Sequence, residues 1–129
     1  MYIDNAHFIS PNFKDRNDPI DMVIIHSTHM TREDSLKRLC DRVAEVSSHY
    51  LIDLEGKIYQ LVEDNYIAFH AGVSCWRGRR HLNKYSIGIE LVDTMDNKSR
   101  IDSFPDAQMR SLVGLMHDII PKYSIPHHN

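Results

Sequence analysis

No apolar run in this 129-residue chain approaches the length of a membrane span, so it is expected to fold in water with no membrane partner. Basic residues are not in excess. Fifteen Lys and Arg stand against eighteen Asp and Glu, for a formal charge of −3, and the electrostatic footprint of a nucleic-acid binder is missing. Cysteine is scarce: Cys40 and Cys75 show no Cys-x-x-Cys spacing, which favours reduced structural thiols over a disulfide or a zinc clip. The N-terminus, Met1-Tyr-Ile-Asp-Asn-Ala-His7, lacks the charged start and apolar core of a secretory signal, so a cytoplasmic location is expected. Neither His-Glu-x-x-His nor Gly-x-Ser-x-Gly occurs, which removes the usual signatures of a helix-borne zinc site and of a serine nucleophile. Repeats and low-complexity segments are absent as well.

The composition that remains, 42% hydrophobic and 26% charged, suits one globular domain over residues 1–129. Residues 1–21, broken by Pro11 and Pro19, read as an irregular arm packed on that domain. Met22 to His26 then places four apolar residues in a row, a strand covered on both faces, and ends abruptly in polar residues. Thr31-Arg-Glu-Asp34 reads as a helix cap with acidic residues in the first turn. It opens a helix of about three turns whose apolar stripe is Leu36, Leu39, Cys40 and Val43. Ser47 to Asp53 alternates, with His49, Leu51 and Asp53 on one face and Tyr50 and Ile52 on the other. The Gly56 turn and Lys57 to Val62 complete a β-hairpin.

Tyr66 to His70 is short and apolar, and Val73 to Lys84 reads as a loop. There Trp76 either lines a groove or plugs the core edge, and the basic cluster Arg77 to Arg80 with Lys84 is either a solvated loop or an anion site. Tyr85 to Val92 is a second buried strand, interrupted by Glu90 and with Gly88 leaving backbone room. After the polar linker Asp93 to Asp102, a helix with Pro105 in its first turn carries Met109, Leu112, Val113, Met116, Ile119 and Ile120 along one face. Pro121 ends or kinks it.

Nine histidines are many for this length, and composition alone does not choose among them. His26 sits where a buried strand runs out into a loop, a rigid support beside space for a pocket, which suits a metal ligand or an acid/base. A lone histidine at a strand end is more often a hydrogen-bonded structural residue. Glu90, inside an apolar strand, bears a desolvation cost unless a cation, a water or hydrogen-bond donors meet it, so function is favoured over a satisfied salt bridge. With strands and helices interleaved, His26, His49, His70 and Glu90 stand in or at the ends of different strands and can converge at one sheet edge. Spacing alone carries no more than that.

Whole phrases carry more. In order, Val23-Ile-Ile-His26-Ser-Thr, Val46-Ser-Ser-His-Tyr-Leu-Ile-Asp-Leu-Glu-Gly56 with Ile58-Tyr-Gln-Leu-Val62, Ala68-Phe-His-Ala-Gly72, Leu82-Asn-Lys-Tyr-Ser-Ile-Gly-Ile-Glu90-Leu-Val92 and Phe104-Pro-Asp-Ala-Gln-Met109 resemble the zinc-dependent N-acetylmuramoyl-L-alanine amidases. That family also takes in T7-type lysozyme and the peptidoglycan recognition proteins. The resemblance covers roughly residues 20 to 129. It implies an α/β (α+β) fold with a central mixed β-sheet flanked by helices. It also implies hydrolysis, by zinc-activated water, of the amide between the lactyl group of N-acetylmuramic acid and L-alanine.

Carried over position by position, the resemblance makes His26 the first zinc ligand and Glu90 the acidic residue that assists the water. His70, His49 and Tyr50 become substrate-cleft residues. The family pattern continues past the segment resembling Tyr123 to Asn129 into a Gly-His-Ser-Asp strand and a Lys-x-Asp-Pro-Gly stretch. These supply the second zinc histidine, a catalytic lysine and the third ligand, all expected beyond residue 129, while His127 and His128 lie short of that position. One recognisable ligand of three is thus expected here. The expected partner is a muropeptide or peptidoglycan fragment, handled in wall recycling. The alternatives are a non-catalytic module that binds the same ligand and an inactive remnant of an amidase. Oligomeric state and the choice between anhydro-muropeptide and intact wall stay open.

Overall fold

The computed structural model describes residues 1–71, 81–93 and 104–126, together with the backbone of 75–76 and 79–80. Its strands are β1 (Ile3–Asp4), β2 (Phe13–Asp15), β3 (Met22–Ser27), β4 (Tyr50–Ile52), β5 (Ile58–Gln60), β6 (Tyr66–Ala68), β7 (Cys75–Trp76), β8 (Arg79–Arg80) and β9 (Ser86–Leu91). Two α-helices, α1 (Arg32–Leu39) and α2 (Asp106–Lys122), accompany them.

Five strands make the central sheet, in the order β1-β5-β4-β9-β3. β3, β9 and β4 run parallel, β5 is antiparallel to β4, and β1 is parallel to β5, so the sheet is mixed as expected. Period-two alternation then distributes the side chains. Ile87, Ile89, Leu91, Tyr50, Ile52 and Ile58 point to one side, where Leu112, Leu115 and Ile119 of α2 cover them. Leu51, Tyr59, Leu61 and Val92 point to the other, where Leu36 and Leu39 of α1 close over them. Both faces of the middle strands are dry, which is why their sequence is nearly all apolar. Among the described residues no helix is long and apolar enough to cross a membrane.

Several local expectations shift. The N-terminal arm is not irregular throughout, because β1 adds an edge to the sheet and β2 pairs antiparallel with β6. α1 has eight residues, two turns rather than three. Thr31 accepts from the Asp34 N–H as its N-cap, but the helix stops at Cys40, and the Asp41 carboxylate then accepts from the Val43 N–H to start a 3₁₀ turn. Val43 is left 85% exposed instead of lying on the stripe. In α2, Met109, Leu112, Met116, Ile119 and Ile120 pack on the core as expected, with Gln108 and Leu115 buried beside them, and only Val113 of the expected stripe faces out. Pro105 is the N-cap of this helix and Pro121 lies in its last turn. The hairpin turn is as expected, with Gly56 at φ 88°.

Candidate active site

β3 and β9 place the two residues singled out from the sequence directly opposite one another, His26 across from Glu90. Partners in register share a face of the sheet, so the imidazole and the carboxyl project together on the α1 side. Glu90 lines a cavity of about 230 Å³ with His70, Ser27, Thr28, Ser35 and Arg38. Its carboxyl is pushed up to about 7 by burial, which brings it near neutrality, where a carboxylate can both take and return a proton. The His26 ring, half-buried, is held below the ordinary histidine value for the same reason.

His70 reaches this centre from the segment after β6. The Asn83 side-chain oxygen accepts from the N–H groups of both His70 and Ala71, fixing the backbone there. The ring packs against Gly88 of β9, where a Cβ would overlap His70 Cγ and Cδ2. Glycine at this strand position is therefore the seat of the ring. His70 Nδ1 is 3.2 Å from His26 Nε2, and its Nε2 is 3.0 Å from Ser86 Oγ. Burial first, then the neighbouring His49, His26 and Arg16, push the His70 ring down to about 3.

His49 and Tyr50 are not brought to the cavity. His49 is wholly buried; its Nδ1 accepts from the Gly88 N–H at 3.0 Å and its Nε2 donates to Tyr66 O at 2.8 Å, so both nitrogens serve the sheet. Burial pushes this ring down to about 4. Tyr50 points to the α2 side, where its hydroxyl donates to Asp64 Oδ1 at 2.8 Å. The alternation of β4 makes it impossible for both residues to face His26. A separate cavity of about 470 Å³, lined by Phe13, Asp64, Tyr66 and Tyr123 among others, includes neither His26 nor Glu90.

Sequence reasoning missed Arg16. Its Nε donates to Asp64 O, Nη1 to Lys84 O, and Nη2 to Tyr66 O and Ser86 O, all between 2.9 and 3.1 Å. It staples the arm to the strands carrying the site. Asp93 was missed too: it accepts from the Ser27 hydroxyl at 3.0 Å and lies 3.4 Å from His29 Nδ1, tying the end of β3 to the end of β9. No sequence spacing announces either, because their partners are distant in the chain. The side chains of Cys75, Trp76, Arg79 and Arg80, and all of Arg77, His127 and His128, lie outside the described residues. Cys40 is a free, half-buried thiol.

The family model for N-acetylmuramoyl-L-alanine amidase matches residues 16–129. The chain belongs to the N-acetylmuramoyl-L-alanine amidase family. Among its relatives in that family, the N-acetylmuramoyl-L-alanine amidase AmiD of Escherichia coli (strain K12) is 39% identical over 121 residues, covering 85% of this chain and 43% of AmiD. The 1,6-anhydro-N-acetylmuramyl-L-alanine amidase AmpD of Citrobacter freundii is 40% identical over 80 residues, covering 60% of this chain and 39% of AmpD. The matched sequence segments thus span well under half the length of these two amidases. A crystal structure of a selenomethionine derivative of AmpD superposes with a TM-score of 0.80 at 26% identity, over 94% of this chain and 76% of that one. AmiD from E. coli in complex with the substrate anhydro-N-acetylmuramic acid-L-Ala-D-γ-Glu-L-Lys gives 0.71 at 34% identity, over 94% and 48%.

Proposed function

We propose that this amidase-family chain takes part in hydrolysis of the amide between the lactyl group of N-acetylmuramic acid and L-alanine, with an anhydro-muropeptide as substrate. The observation that carries this reading is the register pair His26 and Glu90, whose near-neutral buried carboxyl opens on the 230 Å³ cavity. AmiD, 34% identical to this chain in that comparison, binds such a substrate. In the proposed step the Glu90 carboxylate takes a proton from water as the water oxygen attacks the amide carbonyl. The C–N bond then breaks, and the proton passes from Glu90 to the departing L-alanine nitrogen, leaving a muramic carboxylic acid, which gives up its remaining proton to solvent, and a peptide with a free amino group. Burial suits Glu90 to both halves, since its proton affinity lies near that of the working solution.

Zinc is the cofactor that the family resemblance implies, and its fit can be judged from the donors present. Among the described residues no group of three His, Cys, Asp or Glu is placed to hold a metal ion. Both nitrogens of His70 are engaged, and His26 offers one uncommitted nitrogen. A catalytic zinc takes three protein ligands, so the described residues alone do not make its site, and no step above runs through it. A second reading, a module that binds the same muropeptide without cleaving it, would use the same cavity beside Glu90.

The experiment is incubation of the full chain with anhydro-N-acetylmuramyl-L-Ala-D-γ-Glu-L-Lys, with and without added zinc, followed by mass spectrometry. Release of the free tripeptide by the wild type, and its loss in Glu90→Ala, is the expected result. Retained binding with no product and less than one zinc per chain rejects the enzyme and supports the binding module.

A further inference from the structure

A serine hydroxyl has a single proton, and that of Ser86 is already placed: Oγ donates to Leu82 O at 2.8 Å, where the carbonyl is able only to accept. The contact of 3.0 Å between Ser86 Oγ and His70 Nε2 is then a hydrogen bond only if His70 supplies the proton. A neutral imidazole protonated on Nε2 has a bare lone pair on Nδ1. That lone pair faces His26 Nε2 at 3.2 Å, so His26 must carry its own proton on Nε2 and donate it. The orientation of a whole row of rings follows from one backbone carbonyl.

We infer that His70, seated on Gly88 and backed by Ser86, is a positioning residue that holds His26 as its Nε2–H tautomer and leaves His26 Nδ1 as the ring's lone pair. Three independent features fix the geometry. Gly88 has no Cβ to exclude the His70 ring, the Asn83 side chain clamps the two backbone N–H groups that aim it, and Ser86 accepts from its far nitrogen. The opposite arrangement, with the shared proton on His70 Nδ1, points two lone pairs at each other across the Ser86 contact and loses one hydrogen bond. Among the described residues His26 Nδ1 has no hydrogen-bond partner, so the ring presents it to a cation or a proton donor. Partners of this kind orient a functional histidine without touching the ligand themselves. The inference deepens the reading of His26 as the centre of the amidase site.

The test needs no turnover, so its failure is distinct from failure of the amidase reading. The full chain, labelled with ¹⁵N-histidine and kept where the rings are neutral, is examined for the two-bond ¹⁵N–¹⁵N coupling across an N–H···N hydrogen bond. A coupling between His26 Nε2 and His70 Nδ1, with the proton directly bonded to His26, is expected. Ser86→Ala removes the acceptor behind His70 and shifts the ratio of the two proton placements toward His70 Nδ1 by roughly fivefold, the effect of one neutral hydrogen bond. His70→Asn, whose side-chain oxygen takes the place of Nδ1, keeps the His26 proton on Nε2, and His70→Leu abolishes the hydrogen-bonded signal while the dispersed amide spectrum shows a retained fold. A proton found on His70 in the wild type, or a ratio that Ser86→Ala leaves unchanged, overturns the inference.

Discussion

Glu90 is held in a protonation state its neighbours in sequence would not suggest. Its carboxyl titrates near 4.5 in an unfolded chain and at about 7 in the fold, because burial disfavours the charge. Between those values the unfolded chain has released a proton that the folded chain keeps, so stability falls as pH rises from 4.5 to 7 and stays reduced above. Glu90→Gln keeps the shape without the charge. It is expected to be more stable than the wild type by about 1–3 kcal/mol at pH 8, from urea midpoints, with the difference gone below pH 4.5. Equal stability at pH 8 would show that the carboxyl is not desolvated. Gly88 makes the complementary case, since Gly88→Ala drives a Cβ into the His70 ring. An overpacked site of this kind costs about 1–3 kcal/mol, and the cost should shrink when His70→Ala opens space for the new methyl group. Thermal unfolding of the two single variants and the double variant measures that coupling, and strict additivity would disprove the contact.

Strand β3 is both the support of His26 and, among the described residues, an outer edge of the sheet. Its six residues include Ile25, 42% exposed, so an unpaired row of N–H and C=O groups adjoins a bare apolar side chain. Edges of that kind recruit another strand, and charged side chains block them. Ile25→Lys is therefore expected to reduce self-association of the 129-residue chain in sedimentation velocity; a wild type that stays monomeric at all concentrations would contradict this. Elements such as β3, β9 and the β4–β5 hairpin were readable from the sequence because their periodicity and the Gly56 turn are local. The core face of α2 was readable as well, since Met109, Leu112, Met116, Ile119 and Ile120 all pack on the core, but Val113 faces out and the buried positions also include a glutamine. Gln108 lies wholly inside since its amide Nε2 bridges Ile52 O and Val92 O at the ends of β4 and β9, a partnership no hydropathy pattern contains. The early end of α1 likewise rests on an Asp41 cap rather than on the apolar spacing that runs on to Val43.

For the molecule as a whole, the site divides along the same line. The facing positions of His26 and Glu90 in the candidate site were legible because each ends or interrupts a buried strand, whereas the seat of His70, the placement of Arg16 and the turning of His49 and Tyr50 away from the cavity arise only when distant segments converge. That convergence leaves a titration signature. His49 and His70 ionise near 6.5 when unfolded but at about 4 and about 3 in the fold, chiefly because burial disfavours the cation. Below 6.5 the unfolded chain binds two protons that the fold refuses, so their contribution to stability is full above that pH and is lost on acidification. From 4.5 to 6.5 Glu90 acts in the opposite sense by one proton. For these three groups the net is one proton, which contributes a fall in wild-type stability of about 1.4 kcal/mol per pH unit on acidification across that window, and His26, also held down by burial, adds in the same sense. In Glu90→Gln the opposing proton is gone and the slope should steepen by about 1.4 kcal/mol per pH unit. Urea unfolding of both proteins at several pH values between 4.5 and 6.5 reads the two slopes. Parallel lines would mean that the fold does not raise the Glu90 carboxyl, while a steeper line in Glu90→Gln shows that Glu90 keeps a proton in the fold against those that His49 and His70 refuse.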